Sequence, residues 1–128
     1  MTTVLIVDDE PNIVQLVRIT LEDSRVRVLE AADGTTALDR AAAFRPDLIL
    51  LDIDLPDVSG LEVCRRLKED ADLAKMKIVM LTAAAQREDV ARGLAAGADE
   101  YLTKPFSPVR LLSLVEQLMP HTIRWRPE

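Results

Sequence analysis

The sequence predicts an α/β protein with a single doubly wound, five-stranded parallel sheet and helices on both faces. Three observations predict it. Short apolar runs alternate five times with amphipathic helical segments along 128 residues, and such alternation implies a parallel sheet covered on both sides. Three runs are continuously apolar: Val4-Leu5-Ile6-Val7, Leu48-Ile49-Leu50-Leu51 and Ile78-Val79-Met80-Leu81. Interior parallel strands have this character because both of their faces are buried. Polar residues then gather where strands stop, at Asp8-Asp9, Asp52, Thr82 and Lys104. Ligand sites of open α/β sheets lie outside the carboxyl ends of the strands.

Strand 1 is predicted at Thr3–Val7. Pro11 opens helix 1, where its missing N–H costs nothing, and the apolar stripe is Ile13, Leu16, Val17 and Leu21. Strand 2, Val26–Ala31, mixes Arg27 and Glu30 with apolar residues and suits a sheet edge. Gly34 precedes helix 2, which carries Ala37, Leu38, Ala41 and Ala42. Strand 3 is Leu48–Leu51, and helix 3 follows Gly60 with Leu61, Cys64 and Leu67. Strand 4 is Lys77–Leu81, and helix 4 is Arg87–Ala96, ended by Gly97 as a C-cap. Strand 5 is Glu100–Leu102; helix 5 starts near Ser107, with Pro108 in its first turn, and runs to Met119 before Pro120. If Asp8, Asp9 and Asp52 share one ligand, strands 1 and 3 are neighbours. Right-handed crossovers then favour the order 2-1-3-4-5.

The bulk composition narrows the class. Hydrophobic residues make up 48% and charged residues 30% of the chain, the balance of a globular domain. A formal charge of −6 argues against direct nucleic-acid binding, which needs a basic face. Cys64 is the one cysteine, so no internal disulfide forms; this fits a reducing cytoplasm. Met1-Thr2-Thr3 lacks the basic start of a signal peptide, and no apolar run approaches a membrane span. Residues 1–120 read as one domain and 121–128 as a tail or the start of a linker, with His121 and Arg124-Trp125-Arg126 given solvated or linker roles.

The polar set has a chemical logic. Two carboxylates about 4 Å apart repel by roughly 4 kcal/mol at an effective dielectric near 20, so a cluster of acids calls for a cation. Oxygen-only donors suit Mg²⁺, with Mn²⁺ as an alternative. Lys104 adds a positive charge for a phosphoryl oxygen, Thr82 adds a hydroxyl, and small Ala83 leaves its backbone N–H accessible. One carboxylate nucleophile, a metal and two donors make a minimal phosphoryl-transfer centre, working by positioning and charge neutralisation.

Four segments carry a family resemblance: Val7-Asp8-Asp9-Glu10, Leu51-Asp52-Ile53-Asp54-Leu55-Pro56-Asp57-Val58-Ser59-Gly60, Leu81-Thr82-Ala83, and Gly97-Ala98-Asp99-Glu100-Tyr101-Leu102-Thr103-Lys104-Pro105-Phe106. In this combination the chain resembles the receiver domain of bacterial two-component response regulators, over residues 3–119. The resemblance implies a flavodoxin-like (βα)5 fold and a signalling switch that catalyses only its own phosphorylation and dephosphorylation. Asp52 would accept a phosphoryl group from a sensor histidine kinase or histidine phosphotransfer protein. Asp9 and Asp52 would bind Mg²⁺ directly, with the Asp54 backbone carbonyl as a third ligand and Asp8 acting through water. Thr82 and Tyr101 would be the switch pair, and Lys104-Pro105 a cis peptide. Helix 4, strand 5 and helix 5 would pass the signal to an effector domain or protein, or form a phosphorylation-dependent homodimer. Receivers joined to winged-helix modules carry paired charges there; Val90, Arg110 and Leu114 stand where a basic, an acidic and a basic residue are expected, a departure from that dimer mode. Leu114 also falls outside the stripe of Leu111, Val115 and Leu118, which fits either a scattered surface leucine or a partner surface. The Asp54 side chain, two residues past Asp52, is expected to alter attack of water on the acyl phosphate.

Other readings stay open on the sequence. Asp52-Ile53-Asp54 also reads as the DxD motif of a haloacid-dehalogenase-type phosphatase, although there the nucleophile strand comes first and the acid pair last. A flavodoxin-like cofactor binder needs a Gly, Ser or Thr loop after strand 1 to cradle phosphate; Asp8-Asp9-Glu10-Pro11-Asn12 repels one. A receiver that takes no phosphate would be expected to lack part of the acid, hydroxyl and lysine set.

Overall fold

In the computed structural model, which describes residues 1–23, 25–83 and 87–120 (87–89 by backbone alone), strands and helices alternate along the whole chain. The strands are β1 (Thr2–Val7), β2 (Val26–Ala31), β3 (Leu48–Asp52), β4 (Lys77–Thr82) and β5 (Glu100–Thr103). The helices are α1 (Pro11–Leu21), α2 (Gly34–Phe44), α3 (Gly60–Glu69), α4 (Arg87–Ala95) and α5 (Pro108–Leu118). All pairings are parallel and the order is β2-β1-β3-β4-β5, as the sequence predicts. The order in which strands are added reverses between β1 and β3, with β2 laid to one side of β1 and β3 to the other, so the carboxyl ends of β1 and β3 flank the crevice in which Asp8 and Asp52 stand.

Both faces of the central strands are buried, which explains their unbroken apolar runs. Leu5, Val7, Ile49, Leu51, Ile78 and Met80 point to one core, closed by α2 and α3 and, over Met80, by α4. Val4, Ile6, Leu48, Leu50, Val79 and Leu81 point to the other, closed by α1 and α5. Successive strand residues alternate between the two cores because the side-chain period is two. Edge strand β2 buries Val26 and Val28 and exposes Arg27, and the exposed Arg27 guanidinium lies 5.4 Å from the centre of the Phe44 ring.

Several local expectations change in the structure. β3, β4 and β5 each run one residue beyond the predicted end, so Asp52 and Thr82 are themselves the last strand residues. Backbone pairing is the reason: Asp52 is in register with Leu81, and Thr82 with Thr103, whatever the side chains are. Leu114 is not a surface residue. It is 2% exposed and packs with Leu111 and Val115 in the second core. Leu111, Leu114, Val115 and Leu118 are spaced i, i+3, i+4, i+7, one continuous helical face, and it is Val109, 75% exposed, that leaves this face. On α2, Ala37 and Ala41 are buried while Ala42 turns outward. On α3, Val63 joins Cys64 and Leu67 in the core. Gly97 has φ +107°, and the amides of Gly97 and Ala98 donate to the carbonyls of Leu94 and Gly93. This double bond closes the end of α4 through a left-handed residue that glycine adopts without strain.

Candidate functional site

The site forms where three loops leave the sheet. β1 delivers Asp8, whose backbone N–H donates to the Ala31 carbonyl at 3.1 Å. The chain then turns into α1: the Glu10 amide donates to Asp8 Oδ1 at 2.9 Å. β3 delivers Asp52, and the Asp54 amide donates to Asp52 Oδ1 at 3.1 Å. The segment after Asp52 is closed on itself, because the Gly60 amide donates to the Ile53 carbonyl at 2.9 Å. No other residue fits at 60: a Cβ there would lie 2.1 Å from the Asp52 backbone oxygen. From the opposite side, the Lys104 amide donates to the Thr82 carbonyl at 2.7 Å, fixing the start of the Lys104 side chain. The Lys104–Pro105 peptide is cis.

Lys104 is the electrostatic centre. Its Nζ is 2.6 Å from Asp8 Oδ2, 3.2 Å from Glu10 Oε1 and 3.3 Å from Asp52 Oδ2. Burial works against the ammonium, but the Asp8 hydrogen bond and the charges of Asp52 and Asp8 outweigh it, so its pKa is raised. Asp52 is pushed the other way from an ordinary carboxylate, up to about 6. Burial is the main cause and the Asp8 charge adds to it; the Asp54 amide and Lys104 oppose it. At pH 7 Asp52 is therefore still mostly ionised, a buried anion held by one amide and one ammonium.

Oxygens of Asp8, Glu10 and Asp52 lie within 4.8 Å of one another. Three carboxylates with no nitrogen or sulfur donor suit a hard divalent cation, so the residues present fit the Mg²⁺ expected from sequence. Asp9 is not one of these three. Its side chain is exposed, makes no hydrogen bond or ion pair with another described residue, and lines an open groove beside Asp8, Pro11, Val14, Arg18 and Glu30. Glu10 is not among the site residues expected from sequence. The signal for it was its place at the N-cap of α1, one residue past the acid pair and facing Lys104.

The remaining expected residues surround this centre. Thr82 is buried at the end of β4 and Ala83, just beyond it, is exposed. Tyr101 is half-buried on β5 and packs against the first core. It is in register with Met80, two residues before Thr82, so Thr82 and Tyr101 stand diagonally on one face of adjacent strands. Asp54 is exposed. Asp57, farther along the same loop, is held well below the usual carboxylate range by the Thr35 hydroxyl and by the amides of Gly34, Val58 and Thr35. The expected tail of residues 121–128, with His121 and Arg124-Trp125-Arg126, lies outside the described residues.

Comparison with known proteins agrees with this geometry. The response regulator receiver domain family matches residues 4–116. The chain is 44% identical over 124 residues to the DNA-binding dual master transcriptional regulator RpaA of Synechocystis sp., covering 97% of this chain and 52% of that protein. It is 43% identical over 116 residues to the alkaline phosphatase synthesis transcriptional regulatory protein PhoP of Bacillus subtilis, covering 91% of this chain and 48% of that one. Among solved structures, the chemotaxis response regulator CheY4 of Vibrio cholerae superposes with a TM-score of 0.87 at 36% identity, over 93% of this chain and 99% of that one. The chain belongs to the response regulator receiver domain family. It spans about half the length of the curated relatives it matches. The haloacid-dehalogenase alternative finds no support among these matches. Among the described residues no helix is long and apolar enough to cross a membrane.

Proposed function

We propose that this receiver is a phosphorylation-controlled switch in which Asp52 takes a phosphoryl group from the phosphohistidine of a sensor histidine kinase or histidine phosphotransfer protein. The observation that carries the reading is the Asp52 carboxylate, buried at a strand end with one oxygen on an amide and the other 3.3 Å from Lys104. In the transfer, an Asp52 oxygen bonds to phosphorus as the P–N bond breaks, and the ring nitrogen keeps the electron pair and takes up a proton. Lys104 then exchanges its carboxylate partners for a phosphoryl oxygen, while the Thr82 hydroxyl and the Ala83 amide donate to others. Bound Mg²⁺ supplies charge neutralisation among the carboxylate and phosphoryl oxygens. Asp9, Asp52 and the Asp54 carbonyl would hold it, with Asp8 acting through water. Asp9 is suited to this because it pairs with no cation among the described residues, whereas Glu10 is engaged by Lys104.

The domain runs over residues 1–120, acts in the cytoplasm, and turns over no separate substrate. Movement of Thr82 toward the phosphoryl group draws Tyr101 inward and shifts the population of the α4-β5-α5 surface seen by an effector. The Asp54 side chain sets how readily water attacks the acyl phosphate. Acetyl phosphate with Mg²⁺ tests the reading. Wild type takes up one stoichiometric, hydroxylamine-labile phosphoryl group and Asp52→Ala takes up none. Lys104→Ala keeps Mg²⁺ binding but loses most of the phosphorylation-driven spectral change. Labelling that persists in Asp52→Ala overturns the assignment, and sustained turnover of an aryl phosphate favours a phosphatase.

A further inference from the structure

The loop that follows Asp52 is tied to a helix that takes no part in the site. Asp57 Oδ1 accepts from the Gly34 amide at 2.7 Å, and Asp57 Oδ2 accepts from the Thr35 amide at 3.0 Å and the Thr35 hydroxyl at 2.6 Å. These are the first N–H groups of α2, which have no partner within the helix. The next one, on Thr36, is taken by the N-cap Asp33 at 2.7 Å. Asp33 is the cap that α2 provides from its own chain, and Asp57 is a second cap delivered from 23 residues away. A carboxylate at this end also meets the positive end of the helix dipole. The contact is close as well as polar: a Cβ at Gly34 would lie 3.0 Å from Val58 Cβ. Val58 and Leu55 of the loop pack on the core that α2 covers.

The loop is thus pinned at two points. Gly60 closes its base on Ile53 and Asp52, and Asp57 fastens its tip to α2. Between the pins lies Asp54, whose amide holds Asp52 Oδ1. We propose that Asp57 is a positioning residue of the acceptor site: by capping α2 it holds the Asp54 backbone in place beside Asp52 and so sets the affinity of the site for a divalent cation. The affinity part rests on the function proposed above; the placement of Asp54 does not. Among the described residues no hydrogen bond or ion pair joins Gly34, Thr35 or Asp57 to Lys104, Asp8, Glu10 or Asp52, so the polar link from α2 to the site runs through the loop.

The test uses the full chain and the variants Asp57→Asn and Thr35→Ala, each at a temperature where melting shows it fully folded. In the metal-free protein, amide hydrogen exchange at Asp54 and Gly60 accelerates in Asp57→Asn while that of Leu50 and Leu51 in β3 does not. General destabilisation would move both sets together. The Kd for Mg²⁺ rises about tenfold, the scale of losing a group that orients a metal ligand. Thr35→Ala shifts both readouts in the same direction by less, and adding it to Asp57→Asn adds little, because the two act through one contact. If Asp57→Asn does not fold, Thr35→Ala alone decides. Exchange at Asp54 and a Kd for Mg²⁺ indistinguishable from wild type in every folded variant overturn the inference. A wild type that takes no phosphoryl group from acetyl phosphate sinks the proposed function instead, and Asp54 exchange still decides the positioning role.

Discussion

Burial raises the Asp52 pKa from 3.8 to about 6, so its charge at pH 7 destabilises the metal-free fold. A folded-state pKa above the unfolded value means that the folded state binds the proton more tightly. The stability that this contributes is full below about pH 4 and is lost as pH rises through 6. Asp52→Asn removes the charge and keeps the shape. In EDTA at pH 7 it should be more stable than wild type by on the order of 3 kcal/mol, with the gap closing toward pH 4. Urea denaturation across that range is the measurement, and a less stable Asn variant at pH 7 contradicts the burial argument. Asp57 works in the opposite sense. Its pKa is depressed, so its contribution is present above the ordinary carboxylate range and fades on acidification through it. Burial raises the Cys64 thiol to about 11, and its Sγ lies 3.6 Å from the Ala96 carbonyl oxygen, the setting of a packing residue rather than a reactive one.

At the scale of elements, α5 shows how helical phase decides role. Leu114 and Val109 are both apolar, yet one closes the core under β4 and β5 and the other faces solvent. Leu114→Ala should cost about 2 to 5 kcal/mol, as for other buried leucines. Val109→Ser should stay within about 0.5 kcal/mol, as surface changes do. Chemical denaturation of the two variants separates the assignments; equal losses would mean that the phase of α5 is wrong. Any partner surface on α4-β5-α5 is therefore built without Leu114. Val90, half-buried on α4, and exposed Arg110 remain available to it, and the expected pattern of paired charges is still missing.

Across the whole molecule, the sheet brings together acids that lie 44 residues apart, Asp8 and Asp52, and a lysine 52 residues beyond the second. A ligand that binds this assembly and not the unfolded chain raises stability by mass action, about 2.7 kcal/mol at 100 times Kd. Mg²⁺ should therefore raise the melting temperature. Asp9→Asn should lose more of that rise than Glu10→Gln, because Glu10 serves Lys104 while Asp9 has no ion-pair partner among the described residues. Thermal melts with and without Mg²⁺ check this, and the reverse ranking would make Glu10 the ligand.

The five alternating segments and the polar residues at the strand ends were legible in the sequence, and the strand order followed once Asp8 and Asp52 were required to share a ligand. Continuous apolar runs that end in charged or hydroxyl groups have few other folded arrangements, because both faces must be covered and the polar ends must reach solvent or a ligand. What the tertiary structure decided lies in the loops and in helical phase. Asp9 and Glu10 are adjacent acids in the chain, but the turn into α1 brings Glu10 to Lys104 and leaves Asp9 outward. Asp57 reads as one more loop acid until α2 arrives to offer it two amides and a hydroxyl. These outcomes depend on where a neighbouring element places its donors, and local pattern carries no information about a partner that only folding supplies.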